Sequence, residues 1–273
     1  MGCGTVFQIT PSGKLTTLHK FEVTDGAFPS APLIKATNGN FYGTTYSGGT
    51  GENGFGTIFE ITPGGTLTTL HKFEENDGAY PYSSLVQGGN GNFYGTTSAG
   101  GRYGQGTVFE ITPSGTLTTL HNFDGSDGAY PYAGLVQGTN GDFYGTTETA
   151  GFYDGGNNGE GTIFEITPSG KLTTLYVFGN QDGGGYPYAA LIQGKNGNFY
   201  GTTSYGGEYY DGTVFEITPD GVLLTLISFE SSSGDGSRPY APLVQDTNGN
   251  IYGTTYIGGE YGEGTVFTLA VDN

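Results

Sequence analysis

Tryptophan is absent from the 273 residues, and cysteine and methionine occur once each. A lone Cys3 excludes an intramolecular disulfide framework, and no Cys/His cluster has the spacing of a zinc site. Basic side chains are scarce. Eight Lys and Arg stand against 26 Asp and Glu, a net charge of −18. Such a chain repels phosphate backbones, so neither nucleic acid nor an anionic membrane surface is expected as a partner. No apolar run approaches the roughly 18 residues of a membrane span, so no membrane insertion is expected. Neither a charged-then-apolar secretion signal nor an anchor segment is read in the sequence. Helical periodicity is missing throughout.

Glycine, in contrast, is abundant: 54 Gly and 12 Pro approach the composition of a low-complexity chain. Collagen is excluded because Gly does not fall at every third place. Disorder is opposed by an aromatic content of 14% and by a fixed period. Gly-Thr-Val/Ile-Phe begins at Gly4, Gly56, Gly106, Gly161, Gly212 and Gly264, at intervals of 50–55 residues. Asn-Gly-Asn/Asp-Phe/Ile-Tyr-Gly-Thr-Thr begins at Asn38, Asn90, Asn140, Asn196 and Asn248. Asp-Gly with Pro close behind recurs at Asp25, Asp77, Asp127 and Asp235, and around Asp182 with one extra Gly.

Each unit decomposes into four short strands. In the third copy these are Ala133 to Gln137, Phe143 to Thr147, Thr162 to Thr167 and Leu172 to Phe178. Asn140-Gly141 reads as a tight hairpin in which both residues take positive φ. Pro168-Ser169-Gly170 reads as a second turn. Four antiparallel strands per repeat, rich in β-branched and aromatic residues, are the pattern of β-propeller blades. The expectation is an all-β fold, a single five-bladed propeller over residues 1–273 with an incomplete repeat at each terminus. The innermost strands would lie near Leu33, Leu85, Leu135, Leu191 and Leu243, and strands from both ends of the chain would complete one shared blade. One strand is then left over, because Val6 and Val266 lie in copies of the same motif.

NGNFYGTT, GTVFEITPSG and LTTLH resemble the GloVer tandem repeat of bacterial choice-of-anchor proteins, over essentially the whole chain. The resemblance implies export and display at the cell surface, hence an extracellular location. It carries no catalytic or ligand-binding residues.

Antiparallel order puts alternate connections at alternate ends of the strands. One face of the propeller therefore receives the two tight turns, and the other receives the longer loops with most of their Tyr and acids. The loops entering each unit offer Tyr80, Tyr82, Tyr130, Tyr132, Tyr186, Tyr188 and Tyr240; those inside a unit offer Tyr103, Tyr153, Asp154, Tyr209 and Tyr261. A phenol ring gives a sugar an apolar face and a hydroxyl, and several weak sites on one face gain about 10²–10⁴ by avidity on a multivalent glycan. The expectation is a monomeric, non-catalytic binding or display module with a glycan ligand. Against it stands the reading that Tyr-Pro-Tyr packs between units and Asp-Gly only turns the chain. Two other functions stay open: a propeller-type glycoside hydrolase or polysaccharide lyase using Asp154, Glu160, Glu208 or Asp211, and a protein–protein scaffold.

Other chemistry reads as architecture. His19, His71 and His121 share one repeat position with Tyr176 and Ile227, as befits packing. Glu60, Glu110, Glu165 and Glu216 share another, and symmetric copies do not make the paired, differently tuned carboxyls of a glycosidase. Gln87, Gln137, Gln193 and Gln245 end the innermost strands and are expected at a central channel. Oxygen-rich loops could supply calcium ligands, but none matches the twelve-residue EF-hand pattern, and no cofactor is expected.

Overall fold

The computed structural model describes residues 2–50, 54–152, 158–179 and 184–271. The chain divides into two compact units, Met1–Asn122 and Phe123–Asn273. Both are built from short antiparallel strands, and the one helix among the described residues is a 3-10 turn at Ser231–Ser233.

In the first unit β1 (Thr5–Ile9) and β2 (Leu15–Lys20) form a two-stranded sheet. Two four-stranded sheets follow. One consists of β3 (Ile34–Lys35), β4 (Phe41–Thr45), β5 (Thr57–Ile61) and β6 (Leu67–Lys72). The other consists of β7 (Val86–Gln87), β8 (Phe93–Thr97), β9 (Thr107–Ile111) and β10 (Leu117–Asn122). The second unit holds two further four-stranded sheets. The first is β11 (Val136–Gln137), β12 (Phe143–Thr147), β15 (Thr162–Ile166) and β16 (Leu172–Val177), with a small hairpin of β13 (Ala150–Phe152) and β14 (Asn158–Gly159) inserted. The next is β17 (Ile192–Gln193), β18 (Phe199–Thr203), β19 (Thr213–Ile217) and β20 (Leu223–Ser228). A three-stranded sheet of β21 (Val244–Gln245), β22 (Ile251–Thr255) and β23 (Thr265–Leu269) ends the unit. Strand order within each sheet follows chain order, the meander expected of propeller blades.

The two ends of the chain differ from expectation. Among the described residues no sheet takes strands from both ends. β23 fills the third place beside β22, with Thr255 opposite Thr265 and Ile251 opposite Leu269, so β1 has no vacancy to enter and pairs only with β2.

The hairpin turns also differ in detail. Gly138 N–H bonds to the Asp142 carbonyl at 2.8 Å and Gly141 N–H to the Gly138 carbonyl at 2.9 Å, which makes a three-residue loop. Only Gly141 takes positive φ, at 91°. Asn140 works through its side chain instead. Its Oδ1 accepts from Asp142 N–H at 3.1 Å and its Nδ2 donates to the Tyr144 hydroxyl at 2.9 Å.

That Asn belongs to a network repeated in both units. The Tyr94 hydroxyl, buried, donates to Glu110 Oε1 at 2.7 Å, and Asn90 and Asn92 donate to the same oxygen at 3.1 and 2.8 Å. Tyr42 with Glu60 and Tyr200 with Glu216 repeat it. Burial works upward on the Glu110 carboxyl, but bonds from Asn92, Tyr94 and Asn90 outweigh it and hold the group below its ordinary range. Burial and the Glu110 bond push Tyr94 up to about 12. The shared glutamates are thus structural, tying the turn to strands two and three of a sheet. The glutamines are structural too: Gln87 Oε1 accepts Thr37 N–H of the preceding sheet at 3.0 Å, and Gln193 Oε1 accepts Thr139 N–H at 3.0 Å.

Sheets pack face to face through one recurring set of side chains. Tyr42 and Ile58 of one sheet share a core with Leu85, Phe93, Phe109 and Ile111 of the next, and the Tyr42 ring stacks on Phe93 at 4.0 Å. Each fully buried ring of this kind contributes about 1.5–3 kcal/mol.

The third full copy departs at one network position. Asp142 stands where Asn40, Asn92 and Asn198 donate to their glutamates, and burial and the Glu165 charge raise its pKa. Asp142→Asn should restore a donor and stabilise the fold by about 0.5–1 kcal/mol, a modest gain because the pair is partly solvated, with Tm higher by about 2–4 °C. A raised folded-state pKa burdens the protein at neutral pH and not below the unfolded value. The gain should therefore fade as pH falls through the Asp142 pKa, and the two melting curves should converge below about pH 4. Thermal unfolding of both proteins across this range checks it.

Candidate functional site

The chain entering each sheet lies against the chain leaving that sheet's second strand. Bridges Ala27–Ser47, Ala79–Ala99, Ala129–Thr149, Gly185–Tyr205 and Ser237–Ile257 join the two in every copy. The long loops therefore gather at one end of each sheet, as strand order predicts.

Much of this loop chemistry is spent on the fold. Asp25 Oδ1 accepts Glu22 N–H at 2.8 Å while its Oδ2 bonds His19 Nε2 at 2.9 Å, and Asp77 does the same with Glu74 and His71. In each entering loop the residue before the proline sits in the left-handed region: Phe28, Tyr80, Tyr130, Tyr186 and Arg238 all have φ of 55–58°. Bulky residues there cost on the order of 1–3 kcal/mol. Backbone bonds hold them, such as Tyr80 N–H to the Phe55 carbonyl at 2.8 Å and Tyr186 N–H to the Glu160 carbonyl at 2.6 Å. Strain repeated five times over, whatever the side chain, belongs to the architecture.

The tyrosine after each proline behaves differently. In the second unit Tyr132, Tyr188 and Tyr240 come from consecutive copies, with ring centroids 6.0 Å apart for the first pair and 5.4 Å for the second. Tyr256 extends the row at 5.7 Å from Tyr240. The Tyr188 hydroxyl donates to Glu148 Oε1. Burial, then that carboxylate, push the Tyr188 phenol well above its ordinary value. Tyr186 is raised by burial and by the charges of Glu160 and Glu148, and burial alone raises the Glu160 carboxyl. Tyr240 and Tyr256, with Thr254, Ile257 and Glu263, line an open groove of about 490 Å³. In the first unit Tyr80 stacks on Tyr46 at 4.9 Å, and exposed Tyr82 meets the Tyr46 ring edge-on at 6.0 Å.

The remaining candidates are scattered. Tyr103 is exposed beneath the Arg102 guanidinium at 5.3 Å, Tyr209 is exposed with its pKa raised by Glu208 and Glu230, and Tyr261 is exposed. Tyr130 lends its backbone carbonyl to Glu148 N–H at 3.1 Å. Tyr153 and Asp154, and the Asp182 turn, lie outside the described residues. Glu148, Tyr46 and Tyr256 were not foreseen. All three follow an invariant Gly-Thr-Thr at a position that reads Tyr, Ser, Glu, Ser, Tyr along the chain, and that variation was the available signal. Among the described residues no three or more His, Cys, Asp or Glu converge as metal ligands.

The Gloeobacter/Verrucomicrobia repeat matches residues 1–154 and 152–273. The chain belongs to that family. None of the curated proteins compared matches it by sequence. Among solved structures this repeat protein is similar to a candidate 6-phosphogluconolactonase from Bacteroides uniformis, with 18% identity, TM-score 0.60, 97% of this chain and 74% of that one covered. A gluconolactonase from Xanthomonas campestris is similar at 14% identity and TM-score 0.53, over 94% of this chain and 76% of that one. The extracellular domain of a candidate hybrid two-component system from B. thetaiotaomicron is similar at 14% identity and TM-score 0.56, over 92% of this chain and 32% of that one. At these identities the likeness shows the β-propeller type of fold alone.

Glu148→Gln should remove the charge beside Tyr188 and bring that phenol's titration to lower pH, leaving Tyr94 and Tyr200 unmoved. Tyrosine-selective NMR through an alkaline titration reads each ring separately.

Proposed function

We propose that this member of the Gloeobacter/Verrucomicrobia repeat family is a non-catalytic extracellular module, a five-bladed propeller by its five innermost strands, that binds glycans along its tyrosine rim. The observation that carries this reading is the row Tyr132–Tyr188–Tyr240–Tyr256, one ring after another across consecutive copies, with Glu148 fixing the middle phenol. Aromatic faces at this spacing suit the apolar faces of successive sugar rings, and the phenols and Glu148 suit their hydroxyls. The −18 charge favours neutral over acidic polysaccharides. The extracellular location draws support from the family's implied export and from the extracellular domain among its structural neighbours. No helix among the described residues is long and apolar enough to cross a membrane.

A second reading, a glycoside hydrolase or polysaccharide lyase, rests on Glu148, an acid where the other copies carry Tyr or Ser, and on Glu160, whose position is acidic also as Asp211 and Glu263. Glu160 also has the raised pKa useful to a general acid.

Neutral polysaccharides immobilised on an array separate the two. Tyr188→Ala and Tyr240→Ala should each weaken binding about 5–10-fold, the loss of about 1 kcal/mol of ring contact, while Tyr261→Ala should leave it unchanged. Binding indifferent to all three variants, or none at all, refutes the rim. Shortened oligosaccharide products that vanish in Glu160→Gln would establish the enzyme instead.

A further inference from the structure

The connection between β18 and β19 departs from the repeat twice, each time by gaining a tyrosine. Tyr205 stands where the other copies have Ser47, Ala99, Thr149 and Ile257, and Tyr210 stands where the two loops of the same length have Gly104 and Gly262. The backbone is left-handed at all three of these loop positions, with φ of 63° at Tyr210, 75° at Gly104 and 79° at Gly262. A Cβ at either glycine meets nothing within 4 Å, so glycine is kept there for its φ and not for want of space. Tyr210 therefore holds a bulky side chain in a conformation that costs it energy. Its ring gains little burial in return, being 53% exposed.

The two departures meet. The ring centroids of Tyr205 and Tyr210 lie 5.9 Å apart, and Tyr205 reaches Tyr186 at 6.3 Å. Tyr205 and the neighbouring Tyr209 are exposed as well. The surroundings are negative. From Asn196 to Ser237 the chain carries acids and no Lys, Arg or His. Glu208 and Glu230 lie close enough to Tyr209 to raise its phenol, and Tyr186, raised first by burial, also feels Glu160 and Glu148.

The equivalent loop between β8 and β9 displays what such a ring attracts. There the Arg102 guanidinium lies over the Tyr103 ring, 5.3 Å from its centroid. Glu208 and Tyr209 occupy the same two places. The loops are fixed alike, Arg102 N–H donating to Asn122 Oδ1 at 2.8 Å and Glu208 N–H to Ser228 Oγ at 2.7 Å. Between β18 and β19 the chain's own cation is thus exchanged for an acid, while the ring stays and two more join it. We propose that Tyr205 and Tyr210, with Tyr209 and Glu208 beside them, bind a free quaternary ammonium cation. Ring faces attract a cation through their quadrupoles, and the surrounding carboxylates add long-range attraction. A primary ammonium is strongly hydrated and needs hydrogen-bond acceptors to replace its water. A quaternary one has no N–H to satisfy and lays methyl groups on the rings. The site uses none of the rings of the Tyr132–Tyr188–Tyr240–Tyr256 row, so it does not rest on the glycan reading.

Choline chloride titrated into the protein at constant ionic strength, read by tyrosine-selective NMR, tests it. The Tyr205 and Tyr210 ring signals should shift and saturate, while tert-butanol, a neutral molecule with the same three methyl groups, should leave them in place. Tyr205→Ala, which matches Ala99, should weaken choline binding about 2–5-fold. Tyr210→Gly should do the same while keeping or raising Tm, because it relieves the φ of 63°. Tyr188→Ala should leave choline binding unchanged, which tells loss of the rim from loss of this site. Glycerophosphocholine, the same cation on a phosphodiester, should bind more weakly than choline because the acids repel its phosphate. Equal response to tert-butanol, glycerophosphocholine binding as tightly as choline, or indifference to both ring variants overturns the proposal. So does a Tyr210→Gly protein of lower Tm, in which the ring would be serving the fold.

Discussion

The structure depends on a phenylalanine ring lying where a strand has no side chain. In Phe-Tyr-Gly-Thr-Thr the glycine is mid-strand with an ordinary φ, so it is not there to turn the chain. A Cβ on Gly201 would fall 2.5 Å from Phe215 Cζ and 2.7 Å from Leu191 Cδ2, and the same two neighbours crowd Gly95 and Gly145. The ring of strand three and the leucine preceding the innermost strand share the space that the glycine vacates. The same phenylalanine then shares a core with the previous sheet's Tyr and Ile, as Phe215 does with Tyr144 and Ile163.

A second constraint couples the loops to that core. Thr97 and Thr107 hydroxyls meet at 2.8 Å in the interior, Thr97 also donating to the Ala99 carbonyl. A side chain on Gly78 would strike both threonines. The Asp-Gly of the entering loop is therefore locked against the Thr-Thr of the second strand, and the tyrosine after Pro81 is delivered to a fixed place. Rim geometry follows from core geometry in this way. The rings of Tyr132, Tyr188 and Tyr240 come into register because their sheets do, without contacts designed for the purpose.

The fold was legible because period and composition act on the same residues. β-Branched and aromatic runs, Gly-bearing turns and the recurrence of whole blocks all pointed to four-stranded sheets. What escaped was what local pattern does not encode. Asn140 reads as a positive-φ turn residue by propensity, but its side chain does more by bonding Tyr144 and Asp142 N–H, leaving Gly141 alone in the left-handed region. The shared terminal blade failed for a related reason. Equal motifs compete for one place beside β22, and the nearer in sequence, β23, closes a shorter loop at lower entropic cost than β1. On the rim, the eye was drawn to Tyr-Pro-Tyr as a unit, although the two tyrosines differ: the first is committed by its backbone, and the second carries the ring contacts between copies.

Invariance and variation divide the labour between fold and site. Phe, Gly, Thr-Thr, Asp-Gly and Pro recur because each sheet must present the same two faces to its neighbours, and a change at any of them would propagate into the next contact. The residue following Thr-Thr stands outside the Tyr, Val/Ile and Phe positions that pack sheet on sheet, buried as Ser98 and Ser204 and exposed as Tyr256. It is free to be Tyr46, Ser98, Glu148, Ser204 or Tyr256 at little cost to folding. Glu148 is the informative case. A carboxylate at that position meets the Tyr188 phenol of the following copy, and it breaks the equivalence of the copies where the tyrosine row passes. A symmetric scaffold acquires a direction along its rim only through such a residue, and a chain-like ligand with two distinguishable ends could use that direction to bind in one orientation.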